Sequence, residues 1–334
     1  MKKIENCPST LSPGFETYSP VALKRVFDKQ TVSHLLPYES IEKNEDDAKL
    51  FMENKKRISI SGVQSKYSMI INNGKLNLTP ENMQGRYILK PKPSEIRNLL
   101  ECAANENLTM QIAEQIFGME TAANGLCFFQ SGELAYITKR FDVMPDGSKL
   151  RIEDFASLAG LTSENAGVNY KYDYSYEEVA GLIKKYIPAW RVELLKFYRL
   201  ILFNFLFSNG DAHLKNFSVI EIGENDFQLA PAYDLLNTRL HVDDTDFALD
   251  KGLFKEERRD LLKMGTKANG ETFRQFGALI GLPETVVEKE LAIFTGKHPL
   301  IETLISHSFL SEKLKRQYLM EYQTRRNRMA DIRL

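Results

Sequence analysis

Residues 205–220 read FLFSNGDAHLKNFSVI, and this stretch decides how the rest of the chain is interpreted. An apolar helical pattern runs into Asn209-Gly210-Asp211, and an apolar run typical of a strand begins after Asn216. An acid, the imidazole of His213 and an amide are therefore expected together on a short loop between two buried elements.

Asp211 and Asn216 have the D-x-x-x-x-N spacing of a protein kinase catalytic loop. In that chemistry the aspartate accepts the proton of the attacking hydroxyl, and the asparagine oxygen holds a metal ion. Asp234 follows one predicted hairpin later, where a kinase has its second metal ligand. Such oxygen ligands suit Mg²⁺ and predict a nucleoside triphosphate co-substrate. Asn-Gly-Asp also forms a good turn by itself, so other parts of the chain must decide between a catalytic loop and an ordinary turn.

The N-terminal half supplies two of those parts. The polar, small-residue segment RISISGVQSK, 57–66, is suited to folding over phosphates with its backbone N–H groups and Lys66, although an ordinary hairpin loop is the alternative. Lys90 ends the predicted strand YILK, as the phosphate-binding strand lysine of a kinase does. Glu106 lies sixteen residues later on the next predicted helix and is expected to pair with it.

The segment ITKRFD, 137–142, is the expected join between two lobes. Backbone groups of Lys139 and Phe141 are predicted to hold an adenine there, which places no demand on side-chain type. Each of these parts taken alone has an ordinary structural explanation. Their occurrence together in one order is the observation that favours a kinase.

Local signals predict several elements. Asn72-Asn73-Gly74, between KYSMII and KLNLT, predicts a hairpin, and Ser175 with Glu178 predicts a capping box at the start of a helix. Residues 191–207 are apolar almost all round, as in a helix in the middle of a core. The basic C-terminal segment, 312–334, predicts an amphipathic helix with a solvated face.

The predicted elements give an α+β, bilobal, protein-kinase-like fold with a small β-rich N-lobe and a larger, mainly helical C-lobe, leaving a cleft between them. We predict an N-terminal extension at 1–56, an N-lobe with the phosphate-binding loop at 57–145, and a C-lobe with the catalytic loop and metal site at 146–334. Tyrosines gather at 169–176, here called the tyrosine segment, which is interpreted as a surface loop or, alternatively, as a place to hold a protein substrate.

Composition excludes several classes of protein. The 334 residues exceed the roughly 250–300 at which single hydrophobic cores stop growing, so one large two-lobed domain or two domains is expected. The 44 basic and 45 acidic residues nearly cancel, which favours neither general nucleic-acid binding nor adhesion to a membrane. Only Cys7, Cys102 and Cys127 occur, far apart, so a disulfide framework is excluded and a reducing compartment is indicated. With no signal peptide or membrane span apparent, a cytoplasmic protein is expected.

The sequence resembles the HipA family of serine/threonine kinase toxins from bacterial type II toxin–antitoxin systems. The resemblance is carried, in order along the chain, by SISGVQSK, YILKP, ANENLTMQIAEQIFG, YITKRFD, EDFASLAG, SNGDAHLKNFSVI and LAPAYDLLNT. It implies a HipA-like kinase fold, use of ATP with Mg²⁺, and phosphorylation of a protein serine or threonine. In the better-known members the target is an aminoacyl-tRNA synthetase, so a translation-related substrate is expected.

Carried over by residue, the resemblance makes Asp211 the base, and Asn216 and Asp234 the Mg²⁺ ligands. Lys90 then contacts ATP phosphates, with Lys66 near them on the loop. His213 is assigned to the phosphate or nucleotide region.

The resemblance also implies autophosphorylation of a serine in the SIS loop. Ser59 and Ser61 are the candidates, and a phosphate there, with about −1.5 to −2 charge, is expected to weaken nucleotide binding and switch the kinase off.

The implied partners are a protein substrate and a HipB-like helix-turn-helix antitoxin, with DNA reached only through that antitoxin and no membrane. The chain lacks most of the additional N-terminal subdomain of long members, so it looks like the short HipT-like toxins encoded with a small HipS-like protein. Two alternatives stay open: a small-molecule phosphotransferase of aminoglycoside-kinase type, and a non-catalytic module that bridges antitoxin and DNA.

Overall fold

The computed structural model describes residues 3–41, 45–55, 64–93, 96–259 and 267–331. The chain forms two compact units. The first contains Met1–Lys149, Leu240–Val242 and Pro299–Arg316, and the second contains Leu150–Arg239, Asp243–His298 and Gln317–Leu334. The domain boundaries inferred from the sequence stay predictions.

The described residues form eight strands and twelve α-helices. The strands are β1 Tyr67–Asn72, β2 Lys75–Leu78, β3 Tyr87–Lys90, β4 Asn124–Phe128, β5 Leu134–Lys139, β6 Ile152–Asp154, β7 Ser218–Gly223 and β8 Asp226–Leu229. The helices are α1 Pro20–Phe27, α2 Glu45–Lys55, α3 Cys102–Gln115, α4 Phe155–Leu158, α5 Ser163–Ala166, α6 Tyr176–Tyr186, α7 Trp190–Leu206, α8 Glu256–Arg259, α9 Gly270–Leu279, α10 Glu284–Thr295, α11 Pro299–His307 and α12 Glu312–Met329.

The first unit is built on an antiparallel five-stranded sheet with strand order β2-β1-β3-β5-β4. Its first hairpin turns at Asn73 and Gly74, which have φ of 49° and 69°. Positive φ at both central residues is what a two-residue turn needs to match the twist of its strands, and Asn-Gly adopts it at little cost. The predicted hairpin is therefore confirmed, and it aligns Met69 of β1 with Leu78 of β2.

The N-terminal segment covers the outer edge of β4. The N–H of Leu126 donates to the carbonyl of Pro8, and the N–H of Phe128 donates to His34 O at 2.8 Å. Tyr18 Oη donates to Leu126 O at 2.7 Å. An uncovered edge strand would present unpaired backbone groups to other chains. The segment thus completes the sheet of this unit, which its mixed sequence did not reveal.

The same segment contributes to the apolar core of the unit. The side chains of Cys7, Phe27 and Phe51 are fully buried in one cluster with Met69 and Leu89 of the sheet. Burial of each large apolar side chain contributes roughly 1.5–3 kcal/mol to folding. The segment before the sheet is therefore an integral part of this unit's core.

The second unit is organised around α7, whose buried residues include Leu194, Phe197 and Ile201–Leu206. Burial all round this helix was expected from its apolar sequence. Helix α6, which packs beside α7, begins with the predicted capping box of Ser175 and Glu178. Strands β6, β7 and β8 form a separate antiparallel sheet. The α+β class is confirmed within both units.

Within the described part of the chain, no helix has the length and apolar character needed to cross a membrane.

A buried arginine anchors the C-terminal helix α12 to the second unit. Arg325 is 1% exposed and makes an ion pair with Asp246, which also accepts a hydrogen bond from Arg328. Arg325 Nε donates to Ser208 Oγ at 3.2 Å. Burial alone would raise the pKa of Asp246, but the hydrogen bonds and charges of Arg328 and Arg325 outweigh it and lower the pKa below its usual 3.8. Because the pKa is lowered on folding, this carboxylate stabilises the fold only while ionised.

We expect Asp246→Asn to lower the free energy of unfolding by about 2 kcal/mol at pH 7, since the buried Arg325 guanidinium loses its carboxylate acceptor but keeps its bond to Ser208. The difference from the wild type should shrink as the pH falls below about 4, where the carboxylate of the unfolded chain becomes protonated, and should shrink further as the pH falls through the lowered pKa of the folded state. Urea unfolding at several pH values measures this, with Asp226→Asn, which alters an exposed aspartate in β8, as the control. A difference that stays constant down to pH 3 would contradict the assignment.

Candidate active site

The loop that carries Asp211 begins at a Schellman motif that ends α7. Ser208 has φ of 53°, the left-handed conformation that closes such a motif. Its N–H donates to Phe205 O at 3.2 Å, and the N–H of Asn209 donates to Asn204 O at 2.8 Å. The chain therefore leaves α7 in one defined direction. This fixes where Asp211, three residues after the turn begins, is placed.

The side chain of Asn209 joins the loop to the segment that carries Asp234. Its Oδ1 accepts from Asp211 N at 3.3 Å, and its Nδ2 donates to Asp234 O at 3.4 Å and to Asn204 Oδ1 at 3.0 Å. Asp234 itself has φ of 56°, which is uncommon for a residue other than glycine and is frequent at functional sites. One buried amide thus links the backbones of the two segments that carry the predicted acids.

Asn216 completes the group. Its Nδ2 donates to Asp211 O at 2.9 Å, which orients the amide and leaves Oδ1 as the end that can coordinate a cation. Among the described residues no cluster of three or more His, Cys, Asp or Glu side chains is arranged for a metal ion. The amide oxygen of Asn216 and the carboxylate of Asp234 are nevertheless of the ligand types that suit Mg²⁺, which takes few protein oxygens and completes its shell with phosphate and water.

His213 lies on the same loop and is buried, at 6% exposure. Burial lowers its pKa, an effect that the charge of Asp211 only partly opposes. The imidazole is therefore neutral near pH 7 and supplies no positive charge here. Its Nε2 lies 3.8 Å from Asp211 Oδ1, and its buried Nδ1 has no hydrogen-bond partner within the described chain.

Gly210 lies close to the Asp244 side chain. A Cβ at this position would lie 2.3 Å from Asp244 Cγ, so a larger residue here would require the Asp244 side chain to move. The N–H of Gly210 donates to Thr238 Oγ1 at 2.9 Å, and that hydroxyl donates to Ser208 O at 2.9 Å. The Thr238 hydroxyl thus holds the loop at Ser208 and at Gly210, the residue before Asp211.

In the first unit, Lys90 and Glu106 form the pair that the sequence predicted. Lys90 Nζ lies 2.7 Å from Glu106 Oε1, and the two side chains are 5% and 3% exposed. The ammonium also lies 5.2 Å from the ring centroid of Tyr136. Two buried charges at this distance are mutually neutralised, and the lysine is fixed at the end of β3.

The remaining predicted nucleotide residues lie elsewhere in the first unit. Lys66 is half-buried just before β1, and Phe141 lies in the turn after β5. Lys139 Nζ pairs with Asp28 at 2.5 Å, and its backbone N–H already donates to Ala123 O at 2.8 Å. That N–H is satisfied within the protein. The candidate phosphorylation sites Ser59 and Ser61 are outside the described residues.

Several residues of the site could not be identified from the sequence. Asn209 and Thr238 lie inside the quoted motifs, but nothing in their spacing distinguished a bracing role from a turn. Asp244 and Tyr172 approach the loop from other parts of the second unit. The tyrosine content of residues 169–176 was the only available signal for Tyr172, and it did not indicate which ring contacts Asp211.

The sequence of this chain matches a known protein family and several known proteins. The model of the HipA-like C-terminal domain matches residues 58–295. A Haemophilus influenzae protein named "Putative kinase" is 29% identical over 270 residues, covering 76% of this chain and 77% of that protein. A Sinorhizobium fredii protein, "Putative kinase Y4dM", is 32% identical over 229 residues, which is 64% of this chain and 53% of the relative.

Two solved structures share the fold. One is the Shewanella oneidensis MR-1 toxin–antitoxin complex of HipA, HipB and operator DNA, with a TM-score of 0.65 at 21% identity over 82% of this chain and 65% of that one. The other is the Helicobacter pylori proinflammatory kinase CtkA, with a TM-score of 0.54 at 16% identity over 83% of this chain and 93% of that one. These likenesses confirm the predicted kinase-like fold class.

Proposed function

The chain belongs to the HipA-like C-terminal domain family, and from this premise we propose that it is an ATP-dependent serine/threonine protein kinase. The observation that carries the proposal is the assembly of Asp211, Asn216 and Asp234 by hydrogen bonds of two asparagine amides. A turn that merely reverses the chain does not need two acids and an oriented amide brought together. Phosphate transfer does need them.

In the proposed reaction Asp211 accepts the proton of a serine or threonine hydroxyl. The hydroxyl oxygen forms a bond to the γ-phosphorus, the bond from that phosphorus to the β–γ bridging oxygen breaks, and ADP leaves. Asn216 and Asp234 would hold Mg²⁺, which neutralises charge on the phosphates when bound. His213, being neutral, would act near the phosphates as a hydrogen-bonding group and not as a cation.

For the first unit we propose that Lys90 contacts the ATP phosphates while Glu106 holds its side chain in place. Lys66 would lie near the phosphates, and the backbone of Phe141, with the carbonyl of Lys139, would hold the adenine. The fixed geometry of the Lys90–Glu106 pair supports this assignment, because a phosphate contact needs a lysine that is already oriented.

The biological role we propose is that of the toxin in a toxin–antitoxin system, acting on a translation-related protein such as an aminoacyl-tRNA synthetase. A HipB-like antitoxin would be its partner, and a small HipS-like protein a second one. Support comes from the family and from the fold shared with a HipA that assembles with HipB and operator DNA. The chain spans 65% of that HipA and 53% of one curated relative, so the roles of the longer proteins are proposed here, not transferred.

We further propose autophosphorylation in the SIS loop, at Ser59 or Ser61. Phosphatase-treated protein incubated with γ-labelled ATP and Mg²⁺ should acquire label on one of these serines, and Ser59→Ala and Ser61→Ala variants identify which. Label that appears only on added aminoglycosides would instead favour a small-molecule phosphotransferase. Absence of any transfer, with or without candidate protein substrates, would favour a non-catalytic bridging module.

A further inference from the structure

The tyrosine segment, residues 169–176, is attached to the Asp211 loop at three points. Tyr172 Oη donates to Asp211 Oδ1 at 3.0 Å. Tyr176 Oη donates to Ala212 O at 2.9 Å, and the N–H of Leu214 donates to Lys171 O at 3.1 Å. A surface loop whose rings pack only locally would make none of these bonds.

The segment is itself held firmly. Tyr176 is the first residue of α6, is 2% exposed, and packs edge-on against Phe217. The N–H of Tyr172 donates to Asn169 O, and its carbonyl accepts from Asp250 N, both at 2.9 Å. The phenol of Tyr172 is therefore presented to Asp211 from a backbone that is bonded on both sides.

Among the described residues, only one oxygen of the Asp211 carboxylate accepts a hydrogen bond. Tyr172 Oη donates to Oδ1, and His213 Nε2 lies 3.8 Å from the same atom. The Tyr172 and His213 rings are in edge contact, with their centroids 5.3 Å apart. The other oxygen of Asp211, Oδ2, accepts no hydrogen bond from the part of the chain that the structure describes, and the Asp211 side chain is 49% exposed. An exposed carboxylate would rotate freely about its Cβ–Cγ bond unless one oxygen were held.

From this geometry we infer that Tyr172 is the positioning residue of the catalytic base: its hydroxyl holds Asp211 Oδ1 so that Oδ2 faces the hydroxyl to be phosphorylated. The inference rests on the proposed kinase function and adds a residue to it. Tyr172 touches neither ATP nor the acceptor in this account. Burial, and then the charge of Asp211, raises the pKa of Tyr172, so the phenol stays protonated and can donate at any working pH.

Tyr172→Phe should lower the maximal rate of phosphate transfer from γ-labelled ATP about 10-fold, because one hydrogen bond to an ionised group is lost. The ATP concentration for half-maximal rate and the affinity for Mg·ATP should stay within about twofold, since no nucleotide contact changes. Tyr174→Phe removes the same hydroxyl from a neighbouring half-buried ring and should leave both quantities unchanged.

A double-mutant cycle separates positioning from simple stabilisation of the fold. If Tyr172 acts through Asp211, adding Tyr172→Phe to Asp211→Asn should reduce the residual rate no further. If Tyr172 has a separate structural role, the fold reductions in rate of the two single variants should multiply in the double variant. Multiplied losses, or an unchanged rate in Tyr172→Phe alone, would overturn the inference while leaving the kinase proposal intact. A full rate in Asp211→Asn alone would instead overturn the proposed base.

Discussion

Asp211→Asn is expected to reduce phosphate transfer by about 10³-fold, the range that a positioned general base contributes. The replacement keeps the size of the side chain and an oxygen that can accept from Tyr172. It removes only the ability to take the proton of the attacking hydroxyl. We therefore expect the fold and the affinity for Mg·ATP to be retained, as measured by circular dichroism and titration calorimetry.

The matched control is Asp226→Asn, which alters an exposed aspartate in β8 of the same unit. In cells, expression of the wild type should arrest growth, and expression of Asp211→Asn should not. Phosphoproteomics after brief induction of both forms would then identify the substrate as the protein phosphorylated only by the wild type. Growth arrest by Asp211→Asn would show that proton transfer to Asp211 is not the basis of toxicity.

The second large effect concerns the buried pair of Lys90 and Glu106. Lys90→Met should abolish detectable transfer, because the fixed ammonium proposed to contact the phosphates is gone. It should also lower the free energy of unfolding by about 3–5 kcal/mol, since Glu106 would stay buried after losing the charge of the Lys90 ammonium. Thermal unfolding and the labelled-ATP assay measure the two consequences separately.

The double variant Lys90→Met with Glu106→Leu distinguishes those consequences. Replacing a whole buried ion pair by apolar side chains of similar size is often neutral for stability. We therefore expect the double variant to regain most of the lost stability and none of the activity. Lys75→Met, which removes an exposed lysine from β2, is the control for loss of charge. Activity that returns together with stability would mean that the pair serves the fold alone.

The sequence predicted best where its signals are local. The Asn73-Gly74 turn follows from the conformational preferences of two residues, and the Ser175–Glu178 capping box from a spacing of three. The pairing of Lys90 with Glu106 was expected from kinase spacing and is present at 2.7 Å. In each case the residues involved are close in the chain or follow a known pattern.

Contacts between distant segments were not predictable in this way. Nothing in residues 6–36 indicates that they complete the edge of β4, since backbone bonds such as Leu126 N–H to Pro8 O leave no side-chain pattern. Likewise Arg325 lies in a basic helix whose sequence suggested a solvated face, yet it is buried against Asp246. A single inward-facing charge changes the periodicity of the hydrophobic pattern of an 18-residue helix very little.

By itself the sequence determined the chemistry: which carboxylates, amide and lysine are available, and the order that places the chain with kinases. The tertiary structure decided how Asp211 is held, through Asn209 on its backbone and Tyr172 on its side chain. The physical reason is that residue type is encoded position by position. The orientation of one carboxylate, by contrast, depends on hydrogen bonds from segments that only folding brings together.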